Sequence, residues 1–279
     1  MKAKAYAKLN LYLDIVRVRE DGYHELDMIM QEVQLADLLT ISPAAELTVD
    51  CPGVPMEKNL AYRAAQEFFA ATKIAGGARI VIEKHIPSQA GMGGGSSDAA
   101  CVLKSLNALY GEPLTMEELM ALALPLGADV PFALLGGTAR ARGIGEQLTP
   151  LKNRLAAHYL IVKPPVGVPT GQAFHLADTQ PKEQPGDIAL CEKALLENDF
   201  ARFAEHTFNA LTAPAIALCP EIRETLEKIS ACDGCASAFM TGSGSACVGL
   251  FSARAAAESA RAALQSQLAG YFFAVTENV

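Results

Sequence analysis

Hydrophobic positions along the chain fall into two rhythms. "LNLYLDIV" (9–16), within 5–18, and "LLTIS" and "ELTVD", within 35–50, cluster or alternate as β-strands do. The polar stretch "REDGYHELD" (19–27) predicts a loop between them. Asn59 reads as the N-cap of a helix over "LAYRAAQEFFAAT", with Ala64 and Phe68 on one face. "ARIVIEKHI" (78–86) alternates as a strand and leads into "PSQAGMGGGSSDAA" (87–100). Val102, Leu103, Leu106 and Leu109 then predict a helix from about Ser97 to Tyr110, and Thr115 with Glu118 fits a capping box before the next one. "TARARGIGEQL" (138–148) reads as a strand running into a turn.

The pattern changes near residue 150. "AAHYLIVKPP" (156–165) predicts a buried strand ended by two prolines, and "GVPTGQAFHLADTQPKEQPGD" (167–187) is loop-rich. Two or three helices follow to about Ser230. "ASAFMTGSGSACVGLF" (236–251) then shows two strand-like runs around a small-residue turn. An alanine-rich helix over 253–269 and the strand "YFFAVTE" (271–277) end the pattern. No internal repeat is visible. This order predicts an α+β protein of two halves, 1–150 and 151–279, with a cleft between them.

Composition narrows the function classes. With 279 residues, 51% apolar and 19% charged, the chain can bury a large core and is not a disordered sequence. A formal net charge of -8 argues against nucleic acid or an anionic membrane as partner, although a local basic pocket remains compatible with a small anionic ligand. Asp14 breaks the apolar run near the start and no cleavage pattern follows, so no secretory signal is expected. "MALALPLGADVPFALLGG" (120–137) is interrupted by Pro125, Asp129 and Pro131, a poor membrane span. Seven scattered cysteines read as reduced thiols of a cytoplasmic protein. Cys232 and Cys235 form a C-x-x-C without the second pair a zinc site needs, and the five histidines lack metal-ligand spacing, so no protein-bound metal is expected. Nothing in the sequence fixes the oligomeric state.

The strongest chemical signal is residues 87–97: Pro87, Ser88, Gln89, Ala90, Gly91, Met92, Gly93, Gly94, Gly95, Ser96 and Ser97. Glycines let backbone N–H groups approach a ligand, and a helix starting at Ser96 or Ser97 adds unpaired N–H groups and a positive dipole end. Together these make a phosphate cradle, with the serine hydroxyls as further contacts. No lysine follows as in a Walker A loop, Ser96 stands where a dinucleotide fingerprint needs glycine, and H-R-D and D-F-G are absent. The ordinary reading, a flexible turn with a serine cap, is weakened by the strand before, the helix after and the paired serines.

This loop resembles the P-x-x-x-G-[LM]-G-G-G-S-S-[DN]-A-A loop of the GHMP kinases. "AYAKLNLYLDIVRVREDGYHEL" (5–26), "LGADVPFALLGGTARARGIGEQLTPL" (126–151) and "FMTGSGSACVGLF" (239–251) are similar to further motifs of that superfamily, in the same order. They resemble most the branch whose substrates carry a cytidine diphosphate group. The resemblance implies a two-domain GHMP kinase fold with the active site in the cleft between the domains. It also implies transfer of the γ-phosphoryl of ATP, bound with Mg2+, to an alcohol of a small molecule. The rival readings are a homoserine- or mevalonate-type kinase, against which the D-G-Y-H loop speaks, and a relative that binds ATP without turnover.

The same resemblance assigns residue roles. Asp129, by pattern an N-cap aspartate, would accept or orient the proton of the attacking hydroxyl. Lys8, by pattern a solvated strand lysine, would be its partner and offset charge on the phosphoryl group. Asn10, two residues on and on the same strand face, is a substrate-binding candidate. Tyr23 and His24, otherwise a turn with an exposed aromatic, would recognise cytosine, with Phe174 as the opposite stacking face and Thr170 nearby. Gly242, Ser243 and Gly244, otherwise a tight hairpin turn, would pack against the phosphate loop. Ser245 stands where many relatives have proline. Asn59 and Lys84 are candidates for the nucleotide's surroundings.

Overall fold

The chain opens with two long strands, β1 (Lys2–Val18) and β2 (His24–Ala44). The loop between them is shorter than the polar pattern suggests. Arg19 N donates to the Tyr23 carbonyl at 2.7 Å and Gly22 N to the Arg19 carbonyl at 3.1 Å, which closes a tight turn. His24–Asp27, expected in the loop, belong to β2. The computed structural model describes residues 1–180 and 184–279. Their contacts separate them into two units.

The first unit comprises Met1–Lys8, Leu35–Ile86 and Gly93–Gly136. After β1 and β2 it contains β3 (Thr48–Asp50), α1 (Leu60–Thr72), β4 (Gly77–Glu83), α2 (Gly94–Leu109), α3 (Met116–Ala123) and α4 (Val130–Leu135). Leu38–Ala44 of β2 pair antiparallel with β4, and β3 runs parallel to β4. Leu39, Ile41, Ile80 and Ile82 alternate inward and meet Phe68 of α1 and Val102, Leu103 and Leu106 of α2 in one apolar core. Asn59 caps α1, accepting from Ala61 N at 2.9 Å. Thr115 and Glu118 form both halves of a capping box on α3. Helix α2 begins at Gly94, three residues before the expected start. Gly93, at φ +68°, turns the chain into it, and the Ser97 N–H bonds the Gly93 carbonyl at 2.8 Å.

The second unit comprises Leu9–Gln34, Pro87–Met92 and Gly137–Val279. It adds β5 (Thr138–Gly143), β6 (Gln147–Pro150), β7 (His158–Lys163), α5 (Thr170–Ala177), α6 (Ile188–Glu197), α7 (Phe200–Glu205), β8 (Phe208–Asn209), α8 (Thr212–Leu218), α9 (Glu221–Ser230), β9 (Cys235–Met240), β10 (Cys247–Phe251), α10 (Arg254–Gln265) and β11 (Phe272–Glu277). Leu26–Gln31 of β2 pair antiparallel with β5, which forms a hairpin with β6. Tyr12 and Leu13 of β1 pair with β8. An antiparallel sheet in the order β11-β7-β10-β9 is covered by α9 and α10. Its central strands are buried from Tyr159 to Val162 and from Cys247 to Phe251, which explains their continuous apolar runs. The stretch expected to be loop-rich contains α5, started by Pro169 and anchored by the buried Ala173; residues 181–183 of it lie outside the described residues. Four short helices, α6 to α9, occupy the region where two or three were expected. Left-handed Asn198 ends α6, and Asp199 caps α7 immediately after it.

Candidate active site

In the first unit, β1 ends its share at Lys8, which is 7% exposed. Its Nζ lies 3.6 Å from Asp129 Oδ2. Asp129 occupies the N-cap position of α4, yet its side chain makes no cap hydrogen bond; the ion pair takes that place. Gly93 sits against the pair. A Cβ there would fall 3.1 Å from Lys8 Cγ and 3.6 Å from Asp129 Oδ2. The N-terminal turn of α2, Gly94 to Ser96, therefore follows directly on the ion pair. Its unpaired N–H groups and positive dipole end suit an anion. Ser96 is half-buried, and a Cβ on Gly127 would lie 3.9 Å from its Oγ, in the loop that leads to Asp129. Ser97 is used differently: buried, it donates to the Tyr6 carbonyl at 2.6 Å and ties α2 to β1 just before Lys8.

The second unit holds the other half of the glycine loop. Ser88 and Gln89 are exposed, Pro87 and Gly91 half-buried, and Ala90 and Met92 buried. Gly91 lies so close to the third motif that a Cβ on it would run into the Thr241 carbonyl, and one on Gly242 would come within 2.8 Å of Gly91 Cα. Ser245 N donates to the Gln89 carbonyl at 3.3 Å, and Ala246 N to the Ala90 carbonyl at 3.4 Å. At Gly91 and Gly242 only glycine permits so close an approach of backbone to backbone. Thr170 and Ser243 share a hydrogen bond of 2.8 Å between hydroxyls. Asn10, 1% exposed, binds Thr241 Oγ1 through its backbone N–H at 2.9 Å, and its amide reaches Met28 Sδ at 3.3 Å.

The D-G-Y-H turn also lies in the second unit. Tyr23 is 61% exposed, and its N–H donates to Asp21 Oδ1 at 3.1 Å. The His24 ring stacks against Phe174 of α5, with centroids 4.7 Å apart and planes tilted by 32°. His24 Nε2 lies 2.8 Å from Asp178 Oδ1.

Residues 59–137 match the N-terminal domain of the GHMP kinases and residues 191–270 their C-terminal domain. The chain belongs to the GHMP kinase family. Its relatives include the 4-diphosphocytidyl-2-C-methyl-D-erythritol kinase of Desulfitobacterium hafniense, 40% identical over 91% of this chain and 88% of that one. The enzyme of the same name from Deinococcus radiodurans is 41% identical over 96% and 90%. A crystal structure of 4-(cytidine 5'-diphospho)-2C-methyl-D-erythritol kinase superposes with a TM-score of 0.84 at 38% identity, covering 100% of both chains.

This GHMP kinase places two acidic residues to which the sequence pattern assigns no role, Asp37 and Asp98, beside Lys84. Lys84 Nζ donates to Asp37 Oδ2 at 2.5 Å and to Asp98 Oδ2 at 2.6 Å. Asp37 Oδ1 also accepts from Ile86 N at 2.8 Å. A Cβ on Gly94 would fall 3.5 Å from Lys84 Nζ, so the cluster sits at the start of α2. Burial raises the Asp98 carboxyl to about 7, opposed by the Lys84 charge. Burial alone would depress Lys84, but the Asp98 and Asp37 carboxylates outweigh it and hold the ammonium above its usual value. Asp98 Oδ1 is buried without a hydrogen-bond partner. Asn59 and Lys84 are thus both committed to side-chain roles in the fold, one as a cap and one as an ion-cluster centre. Ser245 is likewise structural: its Oγ donates to the Val166 carbonyl at 2.5 Å, which also accepts from Lys163 Nζ at 3.2 Å. Burial lowers the Lys163 ammonium. The Cys232 and Cys235 thiols bond the Lys228 and Ser237 carbonyls. Among the described residues no group of three or more His, Cys, Asp or Glu could hold a metal, and no helix is long and apolar enough to cross a membrane.

Proposed function

We propose that this protein transfers the γ-phosphoryl group of ATP to the 2-hydroxyl of 4-diphosphocytidyl-2-C-methyl-D-erythritol. The products are ADP and the 2-phosphate, an intermediate of the methylerythritol phosphate route to isoprenoid precursors. The observation that carries the reading is the Lys8–Asp129 pair, 3.6 Å apart and directly against Gly93 at the start of α2. The substrate is taken from relatives 40–41% identical over most of the chain. Residues 1–150 and 151–279 serve as the N- and C-terminal family domains, and the family matches at 59–137 and 191–270 fall on either side of that boundary.

Phosphoryl transfer depends on positioning and charge compensation more than on a strong base. The N–H groups of Gly94, Gly95 and Ser96 and the preceding loop Pro87–Gly93 hold the phosphates. Asp129 orients the 2-hydroxyl and takes its proton as the oxygen bonds to phosphorus and the bond to the ADP oxygen breaks. Lys8, 3.6 Å from Asp129 Oδ2, orients that carboxylate and offsets charge on the transferred group. Mg2+ bound with ATP would neutralise phosphate charge, and the Ser96 hydroxyl and the one-third exposed Asp129 carboxylate are the oxygen donors that would hold such a hard cation. Tyr23, His24 and Phe174 hold the cytosine, with Asn10 and Thr170 as further substrate contacts. Buried free cysteines agree with a reducing, cytoplasmic setting.

An ADP-release assay with Mg-ATP tests the reading, with the cytidine compound, homoserine and mevalonate as parallel substrates. Turnover is expected only with the cytidine compound. Turnover with homoserine or mevalonate instead would replace the substrate assignment, and ATP binding without turnover of any of the three would overturn the assigned kinase activity.

A further inference from the structure

The His24 ring is held from two sides by a single helix. Phe174 lies on its face, and Asp178, four residues further along at the C-terminal cap of α5, bonds its edge at Nε2. The His24 side chain is 12% exposed and that of Asp178 is 34% exposed. A carboxylate is out of place at that end of a helix, where the backbone dipole is negative, so local helix chemistry does not account for Asp178. Its partner does. A carboxylate only accepts hydrogen bonds, so Nε2 must carry the proton, and a neutral imidazole then has Nδ1 as an acceptor.

We propose that Asp178 is a specificity-determining positioning residue that locks His24 in the Nε2–H tautomer, so that Nδ1 selects cytosine over uracil. This deepens the substrate reading above and rests on it. The two bases differ on the edge that such a site reads. Cytosine presents the N4 amino donor, whereas uracil presents a carbonyl oxygen at the same position. An imidazole acceptor pairs with the amino group and is left facing a second acceptor when uracil is bound. The other tautomer would reverse that preference. Phe174 fixes the ring plane and Asp178 fixes which nitrogen is protonated.

The test compares kcat/KM for the cytidine compound and its uridine counterpart in wild type, Asp178→Asn and Asp178→Ala. Nitrogen-15 shifts of His24 are read in the same three proteins without substrate. The exposed position of the Asp178 side chain lets both variants fold, which thermal melting checks. Wild type is expected to favour the cytidine compound by about 100-fold or more, since a site built to pair one polar group rejects its mismatch strongly. Both variants should lower that ratio by about tenfold or more, mainly through the cytidine value. His24 should show a protonated Nε2 and bare Nδ1 in wild type and a tautomer mixture in Asp178→Ala. A wild-type ratio retained in both variants, or a protonated Nδ1 in wild type, overturns the role of Asp178 while the kinase assignment stands. Wild-type turnover of neither compound overturns the substrate reading and this inference with it.

Discussion

Replacing Gly93 by alanine tests the geometry of the site through one methyl group. Gly93 lies at φ +68°, ψ 18°, where a Cβ crowds the following carbonyl and costs about 1–2 kcal/mol. The methyl would also sit 3.1 Å from Lys8 Cγ and 3.4 Å from Lys8 Cε. Those distances are inside the usual carbon–carbon optimum of about 3.5–4.0 Å, so the lysine must give way by a few tenths of an ångström. Stability should fall by about 1–2 kcal/mol, a melting shift of roughly 2–4 °C for a chain of this size. Activity should suffer more. The ammonium is held 3.6 Å from Asp129, and a misplacement of about 1 Å at reacting groups costs on the order of 10²-fold, so a smaller shift should lower kcat by about tenfold or more. Gly95→Ala is the control, because its Cβ would meet only Leu60 Cδ1, at 3.6 Å, and alanine is better than glycine within a helix. Gly91→Ala should be the least stable of the three, since its Cβ meets the Thr241 backbone, which cannot swing away. Thermal melting and ADP release on purified variants decide the matter. A Gly93→Ala protein that melts and turns over like wild type, or a Gly95→Ala protein destabilised as much as Gly93→Ala, would refute the reasoning.

Three further outcomes follow from the same groups. Asp129→Asn should lower kcat by about 10²–10⁴-fold with little change in the KM for ATP, since positioned proton acceptance is lost and phosphate binding is not; near-normal turnover in steady-state kinetics would remove Asp129 from its role. Lys84→Met leaves the buried Asp37 and Asp98 carboxylates uncompensated and should cost about 3–5 kcal/mol in urea unfolding, and a loss below about 1 kcal/mol would show that the cluster does not hold this unit together. Asp98, raised by burial to about 7 in the folded chain, binds more protons there than in the unfolded chain, so its contribution to stability is present below the ordinary carboxylate range and lost as pH rises toward about 7. The stability of wild type relative to Asp98→Asn should therefore decline between about pH 4 and pH 7, and a flat difference in urea titrations across that window would contradict the assignment.

Local signals were legible in the sequence because their causes are local. Asn59 caps α1 and Thr115–Glu118 box α3 through bonds that span two or three residues, so the residue types alone announce them. The buried runs of β7 and β10 and the strand–glycine–helix order around Gly93 are read in the same way. The true start of α2 is hidden in the sequence because a glycine cap leaves no side-chain signal, and α5 has the pattern of a loop because only Ala173 of its eight residues is buried.

The sequence by itself determined the mixed α+β class, the phosphate-loop motif and the family to which the chain belongs. Each is written in short stretches whose order survives without knowledge of the fold. Only the tertiary structure decided what the polar side chains do. Ser97 bonds the Tyr6 carbonyl, Lys84 joins Asp37 to Asp98, Ser245 binds the carbonyl of Val166, and Asp178 meets His24. These partners are distant in sequence and their pairing depends on strand register and helix position, which no local pattern records. The contact units are settled by the same cause. Along β2, Leu38–Ala44 pair with β4 whereas Leu26–Gln31 pair with β5, so one strand serves two units, because pairing partners and not chain position determine what packs together.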